Sequence, residues 1–219
     1  MKAMTWRRFN MVLIGNLFIG IAVALLRISA FGTDPYSTLN LGISGFLGIS
    51  LGVYQLIFNF LLLGVIFLYS RSLIGIGTIV NMIGIGFISD FIVYGYSFFF
   101  DDMPILAIRL TLMAIAVIFA SSGVALYITP NLGISPYDAL AFVIVKLSKN
   151  KVPFPIARIT TDSLCVVIGF SFGAIVGVAT VILAFFTGPF IQFFRKRVAE
   201  PILAHEKKRA VTAVAVHKG

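Results

Sequence analysis

The chain has 219 residues, of which 59% are hydrophobic and 11% charged, with a mean hydropathy of +1.05. A soluble domain needs about 25% charged residues for its polar shell, so a water-soluble globule is excluded. Apolar blocks too long for period-2 alternation exclude a β-barrel as well. The net charge of +9 does not point to nucleic acid, because ten of the seventeen Lys and Arg residues sit at the chain ends. These are Lys2, Arg7 and Arg8, then Arg195, Lys196, Arg197, Lys207, Lys208, Arg209 and Lys218. Basic flanks of this kind fit spans in a lipid bilayer whose cytoplasmic face carries anionic head groups.

Taken in chain order, the apolar blocks cover about 9–29, 51–69, 73–98, 104–128, 156–171 and 174–194. A span takes about 20 residues, so the expectation is an all-α polytopic membrane protein with about six transmembrane helices. The first block follows three basic residues, as a signal peptide would, but no A-x-A site follows it. It reads as a retained helix. With the N-terminus in the cytoplasm, fourteen of the seventeen basic residues face the cytoplasm. That bias places both chain ends there, in the inner (cell) membrane of a bacterium. Residues 196–219 form a basic cytoplasmic tail.

Two stretches of the chain repeat each other. Gly32-Thr33-Asp34-Pro35-Tyr36-Ser37-Thr38-Leu39 recurs as Gly133-Ile134-Ser135-Pro136-Tyr137-Asp138-Ala139-Leu140, at an offset of 101. At offset 102, Gly75, Thr78, Gly86 and Phe91 match Gly177, Thr180, Gly188 and Phe193. The repeats are 1–102 and 103–195, each with three spans, so the second must enter the membrane from the other side. Inverted repeats are a hallmark of secondary transporters. A duplication that merely built a stable bundle is the plainer alternative.

Both copies of the motif read as helix starts. Asp34 and Ser135 are N-caps, and Pro35 and Pro136 suit N1. Asp138 at N3 completes an S-x-x-D capping box. Short helices are therefore expected over about 35–44 and 136–148, each after the first span of its repeat. They are either re-entrant or interfacial; the small, uncharged first copy favours re-entrant.

Polar residues within the spans mark candidate sites. Arg158 and Asp162 are four apart and can pair, and Gln55 and Asn59 stand at the matching places in the first half. Asp90 is a candidate coupling group or a partner of Arg27 or Arg109. The sole cysteine, Cys165, reads as core packing. His205 and His217 both lie in the tail, and no catalytic motif, metal-ligand set or cofactor motif is present; the chain does not read as an enzyme.

At the G-x-[DS]-P-Y motif and the Gly75, Gly77, Thr78, Asn81 run, the chain resembles the YczE/YyaS/YitT group of bacterial integral membrane proteins. The resemblance covers about 10–195 and includes Gly86-Phe87-Ile88-Ser89-Asp90, where Phe87 replaces a proline. It implies a transporter-like bacterial membrane protein and supplies no catalytic residues. The expected function is alternating-access movement of a small solute. Its site would comprise Asp34, Tyr36, Gln55, Asn59, Ser135, Tyr137, Arg158 and Asp162. The alternative is a regulatory or scaffold protein acting through its basic tail. In that case deletion of 197–219, not Asp34→Ala or Arg158→Ala, would abolish function.

Overall fold

A computed structural model describes residues 5–100 and 102–204. Among the described residues there are eight α-helices and no strand. Six helices are long and apolar enough to cross a membrane. Helix α1 is Trp6–Ser29, α3 is Leu51–Tyr69 and α4 is Ile76–Phe99; α5 is Leu106–Ile128 and α7 is Phe154–Ser171. The last, α8, is Val178–Phe194. Two shorter helices, α2 (Pro35–Leu47) and α6 (Pro136–Leu147), each follow the first span of their half.

Local chemistry sets these boundaries. Thr5, Asp34, Ser50 and Ser135 cap α1, α2, α3 and α6 through their side chains. Such caps satisfy amides that the helix itself leaves without partners. Pro35 and Pro136 stand in the first turns, where a missing N–H costs nothing. Helices α4 and α8 start alike: the Gly75 N–H donates to Thr78 Oγ1 at 3.1 Å, and the Gly177 N–H to Thr180 Oγ1 at 3.4 Å.

One boundary differs from the hydropathy reading. The last span does not stop near 194 but continues through a π turn, Arg195–Ala199, to Ala204. Ala199, Ile202 and Leu203 pack on Met11 and Leu126, so apolar contact carries the helix past its basic cluster. The first part of the expected tail is thus helical, and 205–219, with both histidines, lies outside the described residues.

Helix α1 packs against α5 and α4, and α5 also packs against α8. The two ends of the bundle are conveniently named by α1. At the Arg8 end, Arg8 Nη1 donates to Pro130 O at 3.0 Å, and Lys146 Nζ donates to Tyr69 O at 2.5 Å. At the Arg27 end, Arg109 Nε donates to Ser29 O at 2.7 Å. The short helices cross between halves: α2 lies on α7, and α6 lies on α3.

The linkers before the short helices are held in matching ways. The Gly77 N–H donates to Leu132 O at 2.9 Å, and the Ala179 N–H donates to Phe31 O at 3.0 Å. Gly32 and Gly133 have φ of +92° and +110°, a region that L side chains rarely enter. A Cβ at Gly133 would lie 2.6 Å from Gly75 N, and one at Gly32 would lie 2.7 Å from Gly177 N. Each linker is therefore pressed onto the first turn of α4 or α8.

Candidate functional site

The starts of α2 and α6 meet. Tyr36 and Tyr137, the second residues of these helices, stack with ring centroids 4.3 Å apart and planes 17° apart. A stacked pair adds about 0.5–1.5 kcal/mol beyond the area it buries. Tyr36 OH donates to Asn59 Oδ1 at 2.7 Å, and Tyr137 OH donates to Asp162 Oδ1. Asn59 is the ninth of 19 residues in α3 and Asp162 the ninth of 18 in α7. The ring pair is thus level with the middles of two spans.

From there the two short helices run to opposite ends of the bundle. Phe46, near the end of α2, packs on Phe172 just beyond α7, with centroids 5.1 Å apart. Lys146, near the end of α6, reaches the last turn of α3 through the bond to Tyr69 O described above. Both helix N-termini, with their positive dipole ends, therefore point into the same region.

Arg158 organises the second half of the site. Its Nη1 is 2.8 Å from Asp138 Oδ1, its Nε is 3.2 Å from Asp162 Oδ2, and its guanidinium lies 4.7 Å from the centre of the Tyr137 ring. A third of the Arg158 side chain is exposed. A charge at span depth faces a bundle interior or an aqueous cavity rather than lipid. The Cys165 thiol packs with Leu39, Phe58, Leu62 and the two tyrosine rings in one apolar cluster.

The expected residues divide as follows. Tyr36, Asn59, Tyr137, Arg158 and Asp162 are joined by direct contacts, with Asp34 and Ser135 at the two helix starts beside them. Asp34 Oδ1 accepts from the Ser37 N–H at 3.0 Å, and its carboxylate is within electrostatic reach of Asp162 and Arg158. Gln55 is buried and turned towards α4, where a Cβ on Gly86 would lie 3.0 Å from its Oε1. Asp90 belongs elsewhere: it is 2.8 Å from Arg27 Nη1 and accepts from the Gly52 N–H at 2.6 Å. Of its two expected partners the structure selects Arg27, since Arg109 bonds the end of α1 and stacks on Phe31.

Asp138 and Tyr127 were not expected in the site. The capping-box reading holds for the Ser135 side chain, which accepts from the Asp138 N–H at 3.0 Å. The Asp138 carboxylate, however, does not return to the Ser135 N–H, which donates to Tyr127 OH at 3.3 Å instead. It accepts from Tyr127 OH, from Ser135 Oγ at 2.7 Å and from Arg158. The available signal was a carboxylate in an apolar helix start with a basic residue, Arg158, on the next span.

The family of unknown function DUF6198 matches residues 6–196. The chain is 23% identical to YczE, an uncharacterized membrane protein of Bacillus subtilis (strain 168), over 187 residues, covering 85% of this chain and 84% of the relative. An uncharacterized protein of Haemophilus influenzae is 26% identical over 209 residues, or 92% of this chain and 90% of the relative. YyaS of Bacillus subtilis, an uncharacterized protein, is 24% identical over 197 residues, covering 89% and 96%. No solved structure matches the chain. The match spans α1 through α8, the paired helix starts and Arg158 included, and the chain is a membrane protein that belongs to the DUF6198 family.

Proposed function

We propose that this protein moves a small solute across the bacterial cell membrane by alternating access between two inverted three-helix repeats. The observation that carries the reading is the Tyr36–Tyr137 pair: two half-helices running to opposite ends of the bundle begin at one mid-depth point. Membrane transporters use such broken helices to bring backbone dipoles to a central solute. The matched linker contacts, Gly77 with Leu132 and Ala179 with Phe31, support the two-fold relation. So do the matched bonds Tyr36 to Asn59 and Tyr137 to Asp162.

A departure from that symmetry supports the gating. At the Arg27 end α3 packs on α4: a Cβ at Gly86 would lie 2.7 Å from Gly52 Cα, and Asp90 ties Arg27 to the Gly52 N–H. At the Arg8 end the matching helices α7 and α8 share almost no contact, and nothing lies within 4 Å of a Cβ at Gly188. One gate is closed and its counterpart open. The positive-inside rule orients the Arg8 end to the cytoplasm, which makes this the inward-facing arrangement.

The test is counterflow in proteoliposomes containing the full chain. Vesicles are loaded with a mixture of unlabelled amines, amino acids and organic acids, and uptake of each radiolabelled counterpart is followed. We expect at least one class to exchange, and to stop exchanging in Tyr36→Ala. No exchange above empty liposomes for any class would overturn the transport reading. Deleting 205–219 is expected to leave exchange intact; its loss would favour action through the tail.

A further inference from the structure

The central site has more acceptors than the protein itself satisfies. Three carboxylates, Asp34, Asp138 and Asp162, share one region with a single cation, Arg158. Asp138 and Asp162 both pair with Arg158. Among the described residues, Asp34 forms no ion pair; its carboxylate is held only by Ser37, whose amide it caps at 3.0 Å.

The two halves show why. Tyr36 and Asn59 on one side match Tyr137 and Asp162 on the other, bond for bond. The helix starts match as well, with Asp34 and Ser37 opposite Ser135 and Asp138, so each start carries one carboxylate and one serine. The second half then supplies its own guanidinium from position 158. At the equivalent place the first half has Gln55, which is neutral and turned towards α4. One of two related carboxylates is thus neutralised from within, and the other is not.

Two polar groups bonded to Tyr36 also lack partners. Asn40, fully buried, donates from Nδ2 to Tyr36 O at 2.7 Å and leaves its acceptor Oδ1 without a partner. Asn59, 1% exposed, uses Oδ1 for Tyr36 OH and leaves Nδ2 without one. Buried polar groups without partners are costly, and each calls for an explanation. An ammonium group supplies the cation that Asp34 lacks, and an acceptor atom on the same molecule supplies a partner for Asn59 Nδ2, beside Tyr36. Among the described residues no three His, Cys, Asp or Glu side chains are close enough to share a metal ion.

We propose that the site takes a small organic ammonium compound, whose charge Asp34 receives as Asp138 and Asp162 receive Arg158. The inference rests on the transport reading for its purpose, and its test is a binding measurement. Radiolabelled ethanolamine is the probe, with the full chain in lipid nanodiscs; it carries an ammonium group and a hydroxyl acceptor on a two-carbon frame. We expect saturable binding that methylammonium displaces and that acetate and acetamide do not.

Asp34→Ser is expected to weaken binding at least tenfold without lowering the melting temperature, because serine caps α6 at the equivalent position. Glu200→Gln, an exposed carboxylate on the extension of the last helix and outside the site, is expected to bind as wild type does. Absence of saturable binding, displacement by acetate as effective as by methylammonium, or unchanged affinity in Asp34→Ser would overturn the proposal. Proton flux that depends on Asp34 without ethanolamine binding would also overturn it, making the residue a proton site. Binding without counterflow leaves the cation site standing and removes transport. Exchange confined to anions does the reverse.

Discussion

Arg158→Met is expected to be among the most damaging single changes in the protein. It leaves Asp138 and Asp162 at span depth with no cation between them. Removing one partner of a buried ion pair costs about 3–5 kcal/mol. Partial exposure of all three side chains puts this case at the lower end. A thermal melt in detergent, followed by size-exclusion chromatography, should show a large fall in the folded fraction. The revealing control is the triple variant Arg158→Gln, Asp138→Ser, Asp162→Asn, which copies the residues of the first half at positions 55, 37 and 59. It should regain most of the lost stability, because neutral replacement of a whole buried network is often tolerated. A triple variant no more stable than Arg158→Met would show that Arg158 acts through packing rather than charge.

The second large effect is expected at the contact between α2 and α7. A Cβ at Gly169 would lie 2.4 Å from Thr38 O, and one at Gly42 would lie 2.3 Å from Gly169 O. Both obstacles are backbone, so no side chain can turn aside. The matching contact in the other half is made by side chains, with Ile66 packed beside Val143, and it needs no such close approach. Gly169→Val should therefore cost at least the 1–3 kcal/mol typical of overpacking. It should also push α2 away from α7 and part the stacked tyrosines, so that exchange falls with stability. Gly64→Ala is the control: nothing lies within 4 Å of its Cβ, and it should be neutral or slightly stabilising. Equal losses at both positions would contradict the close-approach account.

Much of the fold was readable from the residues, and the physical reason is consistent. Span number follows from apolar length, which lipid imposes directly. The starts of α2 and α6 follow from Asp34-Pro35 and Ser135-Pro136, because capping is local chemistry. The end of α8 was misplaced because hydropathy stops at Arg195, whereas the helix is carried on by Ala199 and Ile202 packing on Met11 and Leu126. That is a contact between distant parts of the chain. In the site, the i,i+4 spacing of Arg158 and Asp162 gave their pairing. It did not reveal that the same guanidinium reaches Asp138 on another helix. Gln55 enters the expected site through its match to Arg158, and Asp90 stands apart as a coupling group or a partner of Arg27 or Arg109. Helix rotation, which spacing does not report, sends both towards the α3–α4 contact.

The most direct test of alternating access is a pair of distances measured by double electron–electron resonance, with Cys165 replaced by serine. One spin-label pair is placed at Val53 and Phe91, across the α3–α4 contact at the Arg27 end. The other is placed at Ile156 and Phe193, the equivalent positions on α7 and α8 at the Arg8 end; all four side chains are exposed. In the resting protein the first distance should be the shorter and more narrowly distributed. Asp90→Asn, which weakens the tie from Arg27 to Gly52, should lengthen it and shorten the second. Two equal distances, or an Asp90→Asn variant in which neither moves, would contradict a pair of gates that open in turn.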